Sequence, residues 1–365
     1  MVSPALAVEL DVLASTASLF EARSDGRLEC HACAHRCALR DGDRGLCRVR
    51  FRHHDRVMAP FGYVAARHVR AVETNTVYHV RPGSQALIIG MYGCDLHCPY
   101  CQNWRISQAL RHDTPAPTPF AATPATLVAE AVNAGCEVLC GAYNEPLIAA
   151  EWLHAVFAEA QRSRLVTGVV SDGNTTRETL TYMRPVTDFF RVDLKGFTED
   201  QYAALGGRFA TVLDSIRIAR SLGYWVEVVT LVVPGFNDDL AGLRGVARQL
   251  AAIDCDIPWH LNAFYPRYQW RDRSPQGGGL LVSAAGAAYA RGLRYVYVGN
   301  LADRVAGLSH TRCAGCHALL IERHDYRVRT RRCLDGICPD CGVGIPGLWR
   351  DRASAGSMSL PRVQS

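Results

Sequence analysis

Lysine is almost missing from this chain: of 40 basic residues only one, Lys195, is lysine. A GC-rich coding sequence accounts for the arginine surplus without invoking function. It leaves a single compact ammonium that can lose its proton, which arginine cannot. Long apolar runs are missing too. No stretch of about 18 uncharged apolar residues occurs, so no membrane span is expected. The apolar run from Val2 to Phe20 has no cationic start and carries Glu9 and Asp11. That argues against a signal peptide and for an amphipathic helix in a cytoplasmic protein. Strong net charge is lacking as well. A formal charge of +5 with 21% charged residues argues against nucleic acid as the partner.

Cysteine is what the chain does have, with 15 in 365 residues. Most sit two or three positions apart, too close for long-range staples and suited to metal centres. With 48% apolar residues, a large buried core is expected. The cysteines divide the chain. Residues 1–80 hold the N-terminal helix, Cys30, Cys33, Cys37 and Cys47, and alternating apolar stretches at Val57–Val64 and Thr76–Val80 that predict hairpins. Residues 81–305 form a long middle. Residues 306–349 hold Cys313, Cys316, Cys333, Cys338 and Cys341, and the Ser-, Pro- and Arg-rich end, 350–365, is expected to be disordered.

The middle alternates short apolar strands with helical patterns. Strands are predicted at Ala86–Met91, Val138–Ala142, Leu165–Ser171, Phe189–Leu194, Trp225–Val233, Trp259–Phe264 and Tyr295–Gly299. Thr123-Pro124 opens a helix as N-cap and first helical residue, and helices also fit Leu147–Arg162, Thr176–Arg184, Phe209–Leu222 and Leu240–Ile253. Repeated βα units give an α/β fold with a parallel sheet. Polar residues gather at the strand C-termini, as on the rim of a βα barrel, so a full or partial barrel is expected.

Cys94, Cys98 and Cys101 follow the first of these strands at x3 and x2 spacing. Three thiolates can hold a [4Fe–4S] cluster and leave one iron open. Zinc with His97 or His112 as a fourth ligand is the alternative. Glu145 ends the next strand, Ser171 and Asp172 the third, Asp193 and Lys195 the fourth, and His260 lies in a later one. The cysteine loop, with aromatic Tyr100 before the third cysteine, resembles the cluster motif of the radical S-adenosylmethionine (SAM) superfamily. The resemblance implies a radical SAM barrel in which the open iron binds SAM. Reduction then yields methionine and a 5′-deoxyadenosyl radical. It implies SAM contacts for Tyr100, Glu145, Ser171, Asp172, Asp193 and His260, and a role at the reaction centre for Lys195. Asp193-Leu194-Lys195 is similar to a segment of the pyruvate formate-lyase activating branch. In the family's Gly-Gly-Glu segment only the acid carries over, because Tyr143-Asn144 replaces the glycines.

Cys313-x2-Cys316 and Cys338-x2-Cys341 form two knuckles of zinc-ribbon or rubredoxin type, able to hold zinc or iron. Zinc is the expected structural metal. Cys30-x2-Cys33-x3-Cys37-x9-Cys47 offers four thiolates to zinc or to an auxiliary iron–sulfur cluster. Cys136, Cys140, Cys255 and Cys333 are expected to be packing residues. Together with Ile345-Pro346-Gly347-Leu348-Trp349, these segments resemble the radical SAM member of the AmmeMemoRadiSam system. That resemblance implies Memo-type and AMMECR-type companions and a low-potential flavodoxin- or ferredoxin-type electron donor. It leaves the substrate open between a protein and a small or partner-bound molecule. A glycyl-radical-enzyme activase is one alternative. A zinc-ribbon RNA-binding or RNA-modifying protein, using Arg327, Arg329, Arg331 and Arg332, is another.

Overall fold

A computed structural model describes residues 4–112, 116–301, 305, 307–333 and 335–350. The end expected to be disordered lies outside these residues, apart from Arg350.

One sheet of eight strands organises the molecule. Its strands are β1 (Ala66–Ala71), β2 (Gln85–Gly90), β3 (Cys136–Gly141), β4 (Val166–Ser171), β5 (Phe189–Asp193), β6 (Trp225–Val232), β7 (Trp259–Ala263) and β8 (Val296–Gly299). They neighbour one another in chain order, β1 antiparallel to β2 and the rest parallel. A doubly wound sheet reverses its order at a switch point, whereas this one never does. It is a barrel wall left open, since β1 and β8 do not pair. All seven strands expected in the middle are present, each within two residues of the predicted ends. The antiparallel edge strand β1 comes from residues 1–80, where no strand was expected at this position, and pairs with β2.

Both faces of the parallel strands are buried, which explains their near-continuous apolar sequences. Leu87, Ile89, Leu139, Val169, Phe190 and Val192 face the outer helices. Those helices are α1 (Pro124–Asn133), α2 (Ala150–Arg162), α3 (Arg177–Met183), α4 (Glu199–Leu205), α5 (Phe209–Ser221), α6 (Leu240–Ile253) and α7 (Gly278–Tyr289). Several begin with the side-chain caps that fix where the chain turns inward: Thr123 on α1, Thr176 on α3, Thr198 on α4 and Asp239 on α6. Ala86, Ile88, Val138, Val170, Phe189 and Trp225 face inward. Gly168 makes room for one of these rings: a Cβ there would lie 2.2 Å from Phe189. Gly168→Ala should therefore cost about 1–3 kcal/mol by overpacking. A urea midpoint unchanged from wild type would contradict this account of the barrel floor.

Among its described residues the N-terminal run is helical over Pro4–Val12. The expected longer helix is replaced by Ala14–Thr16, which pairs with Met58–Pro60 of strand Arg56–Pro60, and by Phe20–Ala22, which pairs with Leu28–Cys30. Arg56–Pro60 also forms the expected hairpin with Phe51–His53. Thr76–Val80 forms none. The N–H groups of Tyr78 and His79 donate instead to the buried Glu227 carboxylate, each at 2.9 Å.

The C-terminal module, with strands Thr311–Arg312, Leu319–His324 and Arg327–Arg331, lies across the barrel's opening. Tyr326 bonds Asn300 just after β8. Arg323 reaches Glu73, just after β1, at 3.4 Å. Arg331 donates to the Pro82 carbonyl at 2.6 Å, and Arg332 pairs with Asp340 at 2.6 Å. Two of the four arginines considered for RNA are thus engaged within the fold.

Candidate active site

The chain leaves β2 at Gly90 and turns at Gly93, whose φ of 87° suits glycine. A Cβ at Gly93 would also lie 2.7 Å from the Cys47 carbonyl. Asn144, beyond β3, grips the turn by accepting from Met91 N–H at 3.0 Å and donating to Gly93 O at 2.9 Å. Arg111 and Gln108 hold Leu96 O at 2.7 and 3.1 Å. The loop so fixed turns Cys94, Cys98 and Cys101 into one cavity of about 640 Å³ at the C-terminal mouth of the strands.

Tyr100, Glu145, Asp172, Asp193 and Lys195 line the same cavity. They come from four successive strand ends, and the structure brings them together around the three thiols. Ser171 stands one step behind: its hydroxyl lies 3.0 Å from both carboxylate oxygens of Glu145. The same carboxylate accepts from Asp172 N–H at 2.8 Å and Leu147 N–H at 3.0 Å. His260 is not brought to the cavity. It faces the same way as the lining Asn262 but sits two residues deeper, its Nε2 2.8 Å from Glu227 and its ring stacked on Tyr297.

Asp95, adjacent to the first cysteine, escaped notice in the sequence. It is buried, accepts from Asn174 at 2.8 Å, and forms an acidic group with Glu145 and Asp172. Burial, followed by the charge of Glu145, pushes Asp95 up to about 6. Burial and Asp95 push Asp172 up to about 8. Burial and Asp172 raise Glu145 well above the carboxylate range. Three acids crowded out of water favour a cationic ligand. Lys195 donates to Asp193 at 2.9 Å. Burial alone would lower its pKa, but Cys98, Tyr100 and Asp172 outweigh it and raise the value, so this lysine keeps its proton.

Arg191, Asn75, Asn262 and Tyr326 complete the wall farther from the thiols. Tyr326 belongs to the C-terminal hairpin, and no local pattern could have placed it in a barrel cavity. Lining side chains also hold polar atoms with no protein partner: Tyr100 OH, Tyr143 OH, Asn75 Nδ2 and Asn262 Oδ1. Buried groups of this kind normally have one, so these are open positions for a polar ligand.

The thiols fit a cluster better than a single ion. His97 packs against Gly206 and His112 against Tyr268, and neither lines the cavity. Cys94, Asp95 and Asp172 do come within 4.8 Å of one another. One ion there would leave Cys98 and Cys101 unused, whereas a [4Fe–4S] cluster uses all three thiolates on separate irons.

Cys313, Cys316, Cys338 and Cys341 likewise all lie within 4.8 Å of one another. Cys313 and Cys341 sulfurs are 3.5 Å apart, and those of Cys316 and Cys338 are 3.7 Å apart. A tetrahedron of metal–sulfur bonds of about 2.3 Å separates its sulfurs by about 3.8 Å. Cys333 is buried and stands apart from this set. Cys30, Cys33 and Cys47 are buried and Cys37 half-buried, around a common space in the N-terminal module.

The chain is similar to several known proteins. An uncharacterized protein of Methanocaldococcus jannaschii is 29% identical over 327 residues, covering 87% of this chain and 96% of that one. The isethionate sulfite-lyase activating enzyme of Nitratidesulfovibrio vulgaris is 26% identical over 147 residues, 39% of this chain and 48% of the enzyme. The structure of SuiB from Streptococcus suis bound to SAM superposes with a TM-score of 0.46 at 9% identity, over 60% of this chain and 51% of that one. Residues 88–243, from β2 through the cysteine loop into α6, match the radical SAM superfamily. The chain therefore contains a radical SAM domain over these residues.

Proposed function

We propose that Cys94, Cys98 and Cys101 hold a [4Fe–4S] cluster at which SAM is cleaved reductively, and that hydrogen is then taken from a protein or partner-bound substrate. The bound cluster supplies one electron to SAM, releasing methionine and a 5′-deoxyadenosyl radical. The observation that carries this reading is the meeting of three thiols with the buried carboxylates of Glu145 and Asp172 in one cavity, with buried Asp95 beside them. Glu145, held by Ser171 and two backbone N–H groups, is a fixed acceptor for the ammonium of SAM. Lys195, protonated, offsets the negative charge of the thiolates and can meet a carboxylate. The unpartnered Tyr100, Asn75 and Asn262 atoms offer hydrogen bonds to the rest of the ligand.

The curated activating-enzyme relative favours a protein as hydrogen donor, with a glycyl-radical-enzyme activase as the second reading. The AmmeMemoRadiSam resemblance favours instead a substrate presented with Memo-type and AMMECR-type proteins. In both, a reduced flavodoxin- or ferredoxin-type carrier in the cytoplasm supplies the electron. The C-terminal sulfurs hold structural zinc.

The test is anaerobic. After reconstitution with iron and sulfide, addition of SAM should alter the EPR spectrum of the dithionite-reduced protein and yield 5′-deoxyadenosine. A reduced spectrum indifferent to SAM, with no 5′-deoxyadenosine, would mark an electron carrier and refute the reading.

A further inference from the structure

Cys30, Cys33, Cys37 and Cys47 have no part in the cavity, yet the fold gathers them. A Cβ at Gly45 would lie 3.6 Å from the sulfurs of both Cys37 and Cys47. Cys30 lies near enough to bear electrostatically on Cys33, Cys37 and Cys47 alike. The thiols do not close up as the C-terminal four do. A mutual approach within 4.8 Å, the closeness that one ion requires, is reached by Cys313, Cys316, Cys338 and Cys341, but by neither the N-terminal four nor the cavity triad. The N-terminal four thus fall short of the closeness one ion requires, which leaves room for a cluster whose thiolates bind different irons.

The surroundings agree. Leu46 N–H donates to Cys37 Sγ at 3.5 Å. Backbone donors aimed at sulfur are the means by which a protein stabilises and tunes an iron–sulfur cluster. The segment is also welded to the cavity loop. Arg111 spans Leu46 O and Leu96 O at 2.6 and 2.7 Å, Ala34 N–H reaches Asn174 O at 3.0 Å, and the Cys47 carbonyl fills the space beside Gly93.

We infer that Cys30, Cys33, Cys37 and Cys47 ligate a second iron–sulfur cluster of the [4Fe–4S] class, seated directly behind the loop of Cys94, Cys98 and Cys101. With four thiolates it has no open iron, so it cannot bind SAM.

The full-length chain carrying Cys94→Ala, Cys98→Ala and Cys101→Ala tests this. After anaerobic reconstitution it should retain about four irons and four acid-labile sulfides. Its reduced EPR signal should not respond to SAM, and adding Cys47→Ser should remove most of the iron. Loss of all iron and sulfide from the triple variant would overturn the inference. So would about two zinc ions per chain without sulfide, one of them belonging to the C-terminal knuckles. Should the triple variant not fold, the wild-type count decides: about eight irons supports the second cluster and about four refutes it. The active-site reading fails separately. In that case the triple variant keeps its iron while the wild type yields no 5′-deoxyadenosine.

Discussion

Cys98→Ala should bring 5′-deoxyadenosine formation below detection while leaving the chain folded. The thiol sits among Leu96, Tyr100, Leu205, Val233 and Phe264, so alanine removes one sulfur atom from an apolar pocket. Truncation on that scale costs about 1 kcal/mol, too little to unfold a domain of this size. The chemical loss is of another order, because two thiolates cannot replace three around a cluster that must leave one iron open. The iron content should fall by about four per chain, and the N-terminal cysteines should keep theirs. Undiminished 5′-deoxyadenosine from the purified variant, with dithionite and SAM, would remove Cys98 from the mechanism.

Glu151→Ala should produce the largest loss of stability. Arg50 and Glu151 are buried at 1% and 6% exposure. They pair through two bonds of 2.7 and 2.8 Å, and Glu151 also accepts from the N–H groups of Ser18 and Leu19. Removing one partner strands the other charge out of water, which costs about 3–5 kcal/mol. A urea midpoint corresponding to less than about 1 kcal/mol would show the pair to be dispensable. Acid should have a parallel effect. Burial alone would raise the Glu151 pKa, but Arg50 prevails and holds it at about 2, below the ordinary 4.5. A depressed carboxyl stabilises the fold fully above its unfolded value. That contribution is lost as the pH falls from 4.5 toward 2. The wild type should therefore shed this increment in acid, and Glu151→Ala, having none, should show a flatter limb.

Local patterns revealed much of the barrel. Strands buried on both faces are apolar throughout, and Thr123-Pro124 carries its cap in the sequence. The cysteine loop, Glu145 and Lys195 were legible because their chemistry is scarce or tightly spaced. Other features depended on tertiary contact. Thr76–Val80 reads as a strand but spends the N–H groups of Tyr78 and His79 on Glu227, 148 or more positions away in sequence. His260 and Asn262 share a face, and only depth within the barrel separates a core histidine from a lining asparagine. Asp95 looks like an ordinary loop acid until Glu145 and Asp172 close around it.

The gap between β1 and β8 bears on how the molecule is made. Arg323 reaches Glu73 across 250 positions, and Tyr326 enters the cavity wall from the same hairpin. The ribosome therefore completes every strand of the barrel before the chain that covers its open side emerges. Until then the cavity lacks the part of its wall that Tyr326 supplies. Completion of the cavity wall is in this way tied to the folding of the C-terminal hairpin. A stop codon ahead of residue 320 would leave a barrel with its thiols and acids but without the wall that Tyr326 supplies.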